Sequence, residues 1–296
     1  MYDPAASEGH ILRDTGIQTR PDGTLVDRAL ELLNREPADS RTIAHDILGI
    51  KKAPRVVCER LATALLGSDP RIRQLPDGQW HVVATAGRSP GINECTFAVV
   101  DVETTGGRAS GGDTITEIAI VLLHDGAIKV ALDTLVNPER PIPRVVSRVT
   151  GITHDDVRDK PVFDDIADDV LSGIAGRVFV AHNMRFDWGF VSRMVRRTRD
   201  VVLHGPRLCT VTLARRVLPG IRYRNLDNLS HYFGIEIARR HRAGDDARAT
   251  AQLLVHLLDL AMEQGASTLR DLEILSRRRT SRRRKRRARP GFLEEL

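Results

Sequence analysis

Hydrophobic and polar positions divide this chain into two blocks with different periods. In the first, apolar residues recur three or four apart. Leu25, Ala29, Leu32 and Leu33 form one set, Ile43, Ala44, Ile47 and Leu48 a second, and Val57, Leu61 and Leu65 a third. That is helical spacing. It predicts a helix from Leu25 to Asn34, a second capped by Asp39-Ser40, and a third after Pro54. Ile72 to Val83 then reads as a hairpin turning at Asp77-Gly78. The second block begins with strands near Thr96–Val102, Thr114–Leu123 and Ile128–Val136. Further strands are expected near Val178–Ala181 and Arg207–Thr210. Helices are expected over Phe163–Ile174, Asn183–Arg197, Val211–Leu218, Leu226–Phe233 and Asp245–Glu263. Residues 1–20 show no period and read as a loose arm, and residues 85–94, with Gly87, Pro90 and Gly91, read as a linker. The two folded units therefore span residues 21–84 and 95–265, with a short helix and a basic disordered tail over 266–296.

The chemistry concentrates in the second unit. Phe97-Ala-Val-Val-Asp-Val-Glu-Thr-Thr-Gly106 places Asp101 and Glu103 two residues apart at the end of an apolar strand. A strand repeats every two residues, so both acids project from one face. Two adjacent anionic groups repel each other, and hard divalent cations such as Mg²⁺ or Mn²⁺ take carboxylate oxygens. Alone, the pair also fits a solvated strand face. Downstream, an apolar run meets His182-Asn183, and Asn183 as an N-cap would put Asp187 about one turn into a helix, near its positive end. Finally His241-Arg-Ala-Gly-Asp-Asp246 brings a histidine and an acid to the start of a long amphipathic helix. Singly, Asp187 could be a helix-dipole partner, His241 a loop histidine and Asp246 a cap.

In their order and spacing, these residues resemble the DEDDh 3′→5′ exonucleases, the DnaQ-like group that includes the proofreading epsilon subunit of DNA polymerase III. The resemblance runs from about Thr96 to Gln264 and extends to Thr150-Gly-Ile-Thr153, Asp159-Lys-Pro-Val-Phe-Asp164 and Leu208-Cys-Thr-Val-Thr-Leu-Ala-Arg215. It implies a ribonuclease H-like α/β fold, a mixed five-stranded sheet with flanking helices and acids converging at strand ends and helix starts. It also implies hydrolysis of phosphodiester bonds with two divalent ions, Mg²⁺ or Mn²⁺, roughly 4 Å apart. Asp101, on the central strand, is best placed to bridge the ions. By similarity, Glu103 and Asp246 would complete the ion that holds the attacking water, and Asp187 would support the second. His241 would be the general base, since imidazole changes protonation near neutral pH. The resemblance further sets Thr104 and Thr105 against the terminal nucleotide and Thr150, Gly151 and Ile152 around its base and sugar. Thr104 and Thr105 also suit plain strand-end hydrogen bonding, and His182 suits local backbone contacts better than a metal. Gly106 to Gly112 lacks the Gly-Lys-Ser/Thr ending of a phosphate-binding loop, so it reads as a hairpin connection.

Composition narrows the setting. The three cysteines, Cys58, Cys95 and Cys209, are dispersed and suit neither a disulfide framework nor a zinc site. No apolar run reaches membrane-spanning length and no signal-peptide pattern opens the chain, so a soluble cytoplasmic protein without a membrane partner is expected. Ten basic residues and no acid lie between Arg277 and Arg289. The last twenty residues carry a net +8 against +6 for the whole chain, so the basicity belongs to the tail. Such a run is a candidate nucleic-acid tether as well as a solvated tail. The N-terminal unit resembles a winged-helix domain, with Lys51, Lys52, Arg55 and Arg60 on or beside its third helix. In that family this helix enters the major groove in DNA-binding members, and other members bind proteins.

The combined reading is a metal-dependent 3′→5′ exonuclease acting on 3′ ends, of DNA in preference to RNA, in proofreading or repair and with a possible polymerase or repair partner. Two alternatives stay open: a 3′→5′ exoribonuclease of the same family, and an inactive nucleic-acid-binding or polymerase-associated module.

Overall fold

The computed structural model describes residues 16–21, 24–33, 36–69, 71–82 and 89–277. It opens with a strand, β1 (Gln18–Pro21). The helical unit follows as α1 (Leu25–Leu33), α2 (Ser40–Thr42) running into a π-helical turn over Ile43–Ile47, and α3 (Arg55–Leu66). The antiparallel hairpin of β2 (Ile72–Gln74) and β3 (Trp80–Val82) ends it. Asp39 caps α2 as expected, accepting from the Thr42 N–H at 2.8 Å. Ala29, Leu30, Leu33, Ile43, Ile47, Ala62, Leu66, Ile72 and Trp80 form a core of their own. Within it the Trp80 Nε1–H donates to Ser40 Oγ at 3.0 Å, so the buried indole is satisfied. One expectation fails here. The inward stripe of α3 is Cys58, Ala62 and Leu66, and Val57 is exposed. Both stripes repeat every fourth residue, and the one carrying Cys58 and Ala62 faces the core.

The larger unit carries β4 (Thr96–Thr104), β5 (Ile115–His124), β6 (Ala127–Leu135), α4 (Arg144–Thr150), α5 (His154–Val157), α6 (Phe163–Ile174) and β7 (Val178–Ala181). It continues with α7 (Arg185–Arg199), β8 (Val201–His204), β9 (Arg207–Cys209), α8 (Thr210–Val217), α9 (Leu226–Phe233), α10 (Ala243–Glu263) and α11 (Leu269–Arg277). Five strands form one mixed sheet in the order β6-β5-β4-β7-β9. β5 runs antiparallel to both β4 and β6, while β7 runs parallel to β4 and β9 parallel to β7. This is the α/β arrangement of the ribonuclease H-like fold that the motifs imply.

Alternation along β4 sets up both faces. Phe97 and Val99 pack with α8, α9, α10 and α11. Ala98, Val100 and Val102 pack with α6 and α7. Asp101 and Glu103 continue the Phe97–Val99 row, so they emerge on the side where α10 lies. The acids extend a core-facing row beyond the core.

Two segments read as loose are paired where they are described, residues 16–20 and 89–94, and the rest of each lies outside the described residues. At the end of the expected arm, β1 pairs antiparallel with β8, and Ile17, 1 % exposed, exchanges hydrogen bonds with Gly176 and Arg177. Within the expected linker, Ile92 donates to the Ser267 carbonyl at 3.1 Å, and Pro90 accepts from Leu269 at 2.9 Å. The helical unit is thus tied to the larger one on both sides. A four-residue strand and an isolated bridge leave no period to read. Residues 278–296, which include most of the basic run, lie outside the described residues. No helix among the described residues is long and apolar enough to cross a membrane.

Candidate active site

β4 delivers the first two acids, α7 the third and α10 the fourth. β7 pairs with β4 only over Phe97–Val99. Beyond that point Asp187 takes over, its Oδ1 accepting from the Val102 N–H at 3.2 Å. Asn183 is not the N-cap expected of it. It adopts a left-handed backbone (φ +70°), and the helix starts at Arg185 after Met184. Asp187 is still in the first turn, where the helix dipole favours an anion. At α10 the first turn holds Asp245 and Asp246, and His241 stands before it in the left-handed region (φ +60°). One ligand atom each from Glu103, His241 and Asp246 lie within 4.8 Å of one another.

Burial and mutual repulsion dominate the electrostatics. The Asp101 carboxyl is pushed well above the usual carboxylate range by burial and then by Asp187, Asp246 and Glu103, with Arg240 opposing. Burial likewise raises Asp187, against hydrogen bonds to its carboxylate from backbone N–H groups. Glu103 is raised to about 7 by burial and by Asp246 and Glu117. Asp246 is raised by burial, with Arg240 pulling the other way. Four carboxylates so placed take up protons or a multivalent cation. Among the described residues Asp246 Oδ1 is buried without a hydrogen-bond partner, so it is an oxygen that could ligate a hard cation.

The other expected site residues sit differently. Thr104 and Thr105 are buried at the end of β4. The Thr104 hydroxyl donates to the Gly106 carbonyl at 2.7 Å, and Thr105 Oγ1 accepts from the Thr114 N–H at 3.1 Å. Their hydroxyls therefore serve strand-end hydrogen bonds. Thr150 closes α4, donating to the Val146 carbonyl and accepting from the Ile152 N–H, with Gly151 left-handed at φ +71° and Ile152 buried. Among the described residues no hydrogen bond joins this turn to the acids. His182 bonds Thr210 Oγ1 at 2.8 Å through Nδ1, and burial pushes it down to about 4, so it is a neutral structural histidine. The Gly106–Gly112 segment is a hairpin connection, Asp113 accepting from the Arg108 N–H at 2.9 Å.

Three residues about the acids have no counterpart in the motif reading. Glu117, 3 % exposed, is the register partner of Glu103 and accepts from Arg242 Nη2 at 2.7 Å and from the Ala243 N–H at 2.9 Å. That pair fixes the start of α10 to β5. An acid inside the apolar run Ile115-Thr-Glu-Ile-Ala-Ile was its one visible signal. The third residue, Arg240, bonds both Asp227 and Asp246.

The family model of the RNase_T exonucleases matches residues 98–254. The chain belongs to this exonuclease family. A protein of Mycobacterium tuberculosis with the provisional name bifunctional exonuclease/endonuclease protein is 41 % identical over 192 residues, 61 % of this chain and 29 % of that protein. The 3′-5′ exonuclease DinG of Bacillus subtilis is 34 % identical over 185 residues, 62 % of this chain and 20 % of that protein. The PolC-type DNA polymerase III of Bacillus subtilis is 37 % identical over 175 residues, 59 % of this chain and 12 % of the polymerase. The chain thus matches less than a third of each of these relatives. Among solved structures, exonuclease X in complex with 5′-overhanging duplex DNA aligns with a TM-score of 0.49 and 29 % identity, over 61 % of this chain and 99 % of that one. The family places this chain among exonucleases of the DEDDh, DnaQ-like type.

Proposed function

We propose that this chain is a metal-dependent 3′→5′ exonuclease that removes nucleotides from DNA 3′ ends. The observation that carries the reading is the convergence of Glu103, His241 and Asp246 beside Asp101 and Asp187, with Asp246 Oδ1 buried and unpaired among the described residues. Asp101, Glu103, Asp187 and Asp246 would hold two Mg²⁺ or Mn²⁺ ions. Bound there, the ions supply an acidified water and offset charge on the leaving oxygen. His241, exposed beside Glu103 and Asp246, takes the proton of the attacking water. With their hydroxyls engaged locally, Thr104 and Thr105 would meet the terminal nucleotide through backbone groups, and Thr150, Gly151 and Ile152 would line the pocket for its base and sugar. Polarity and polymer follow the relatives named as a 3′-5′ exonuclease and a DNA polymerase III.

The helical unit fits a duplex-contacting role. Arg41, His45, Lys51 and Lys52 line a 560 Å³ cleft at the start of α3, and no ion pair engages either lysine among the described residues. A polymerase or repair complex is the partner consistent with these relatives.

The test incubates purified protein with 5′-labelled single-stranded DNA, RNA and 3′-mismatched duplex DNA, each with Mg²⁺, Mn²⁺ or EDTA. Stepwise shortening from the 3′ end of DNA, only with metal, is the expected result. Faster shortening of RNA would make the chain an exoribonuclease, and binding without cleavage across metals would make it an inactive module.

A further inference from the structure

The contacts of Asp246 are unequal between its two oxygens. Oδ2 accepts from the His241 N–H at 3.1 Å and from Arg240 Nη1, while Oδ1 is buried with no partner among the described residues. Arg240 is itself held from behind, its Nε and Nη2 reaching the Asp227 carboxylate in the first turn of α9. The Asp227 carboxyl sits below its usual range, chiefly through its hydrogen bond to Arg240, so it stays ionised as an anchor. A guanidinium is flat and presents several donors in a fixed fork, so one group can serve two carboxylates in a defined plane. The side chains differ in exposure: Asp246 6 %, Arg240 29 % and Asp227 55 %. The chain of contacts therefore runs from the surface to the acid cluster.

We infer that Arg240, anchored by Asp227, is a positioning residue that fixes the Asp246 carboxylate with one oxygen occupied and the other presented to a divalent cation. The inference rests on the reading of the acid cluster as a divalent-cation site. Without Arg240 the carboxylate is free to rotate, and both oxygens compete for the His241 N–H. Removing Arg240 has two opposed consequences for cation binding. Loss of a nearby positive charge favours the cation, and loss of the fixed geometry disfavours it. Outer-sphere groups that orient a ligand commonly change metal affinity by about 10- to 100-fold. The direction of change thus separates a positioning role from a simple counter-charge, which would give tighter binding on removal.

The experiment measures Mn²⁺ affinity by titration calorimetry on the full chain for wild type, R240Q, R240K, D227N and the R240Q/D227N double variant, with thermal unfolding in EDTA as the folding control. R240Q is expected to weaken Mn²⁺ binding roughly 10-fold or more. R240K keeps the charge without the fork and D227N keeps Arg240 without its anchor, so both should weaken it to a smaller degree. The double variant should bind no worse than R240Q, because Asp227 acts through Arg240. Unchanged or tighter binding in R240Q overturns the inference, as does an additive loss in the double variant. If R240Q does not fold, D227N and R240K decide, and wild-type affinity in both overturns it. A wild-type chain that binds no Mn²⁺ would instead remove the cation-site reading itself.

Discussion

The carboxylate of Asp187 accepts the backbone N–H of Val102 at 3.2 Å, joining the first turn of α7 to β4 between Asp101 and Glu103. One side chain thus has two tasks, a structural one at the strand edge and an electrostatic one toward the acids. The tasks separate by substitution. D187N keeps an oxygen for Val102 and loses the charge, whereas D187A loses both. Each should lower metal-dependent turnover by at least about 100-fold. Their metal-free stabilities should differ, D187A lying below D187N by about 1–3 kcal/mol because a buried N–H is left unpaired. Denaturant unfolding in EDTA checks this, and equal stabilities would show that the Val102 bond contributes nothing.

Glu103 contributes, with the raised carboxyls of Asp101, Asp187 and Asp246, to the pH dependence of the metal-free protein. Its carboxyl is raised from an ordinary 4.5 to about 7, mainly by burial. Between those values the folded chain keeps a proton that the unfolded chain has lost. Metal-free stability therefore falls as pH rises through this window, and the penalty is complete above it. E103Q should raise the metal-free melting temperature at pH 7.5, where each kcal/mol corresponds to about 2–4 °C, and leave it nearly unchanged at pH 4. Mg²⁺ should stabilise wild type more at pH 7.5 than at pH 5.5, since protons compete for the same oxygens. Calorimetry at three pH values, with and without Mg²⁺, settles both expectations. A wild-type profile that rises from pH 4.5 to 7 in EDTA would contradict the assignment.

Much of this site could be read from the chain itself. The alternation of Phe97 to Glu103 put both acids on one face, and the split of that strand between two core clusters bears it out. Asp187 and Asp246 were placed in first helical turns, where they are found. What escaped the reading depends on distance or on degeneracy. Arg242 and Glu117 pair across 125 residues, and an arginine in an arginine-rich chain signals nothing locally. On α3, two apolar stripes of equal period competed, and packing chose the smaller side chains. Asn183 is a common capping residue, yet the turn after β7 uses it in the left-handed region that asparagine tolerates better than most residues.

For His241 the prediction separates catalysis from assembly. It stands exposed at φ +60° within 4.8 Å of ligand atoms of Glu103 and Asp246. Its N–H, a backbone group, holds Asp246 whatever the side chain. H241A should therefore keep the Asp246 contact and bind Mn²⁺ within a fewfold of wild type. Turnover should fall by about 10²- to 10⁴-fold, the usual range for loss of a general base. Near-normal activity in H241A would remove the base assignment, and lost Mn²⁺ binding would make the imidazole a ligand.

The basic run beyond α11 offers a test that leaves the site untouched. Arg277 ends that helix, and the residues from Arg278 onward hold nine further cations before Pro290. The rest of the chain is close to neutral, so the tail dominates long-range attraction to a polyanion. Each phosphate neutralised on single-stranded DNA contributes about −0.7 to the slope of log affinity against log salt. Truncation after Arg277 should therefore flatten that slope by several such increments. It should also weaken binding strongly at low salt and only slightly at high salt. The turnover of saturating oligonucleotide should stay at the wild-type value, because every residue of the acid cluster precedes the cut. Binding of a fluorescent oligonucleotide across a salt series, paired with turnover at saturation, makes the measurement. Matching slopes in the two chains would show that the tail does not touch the nucleic acid.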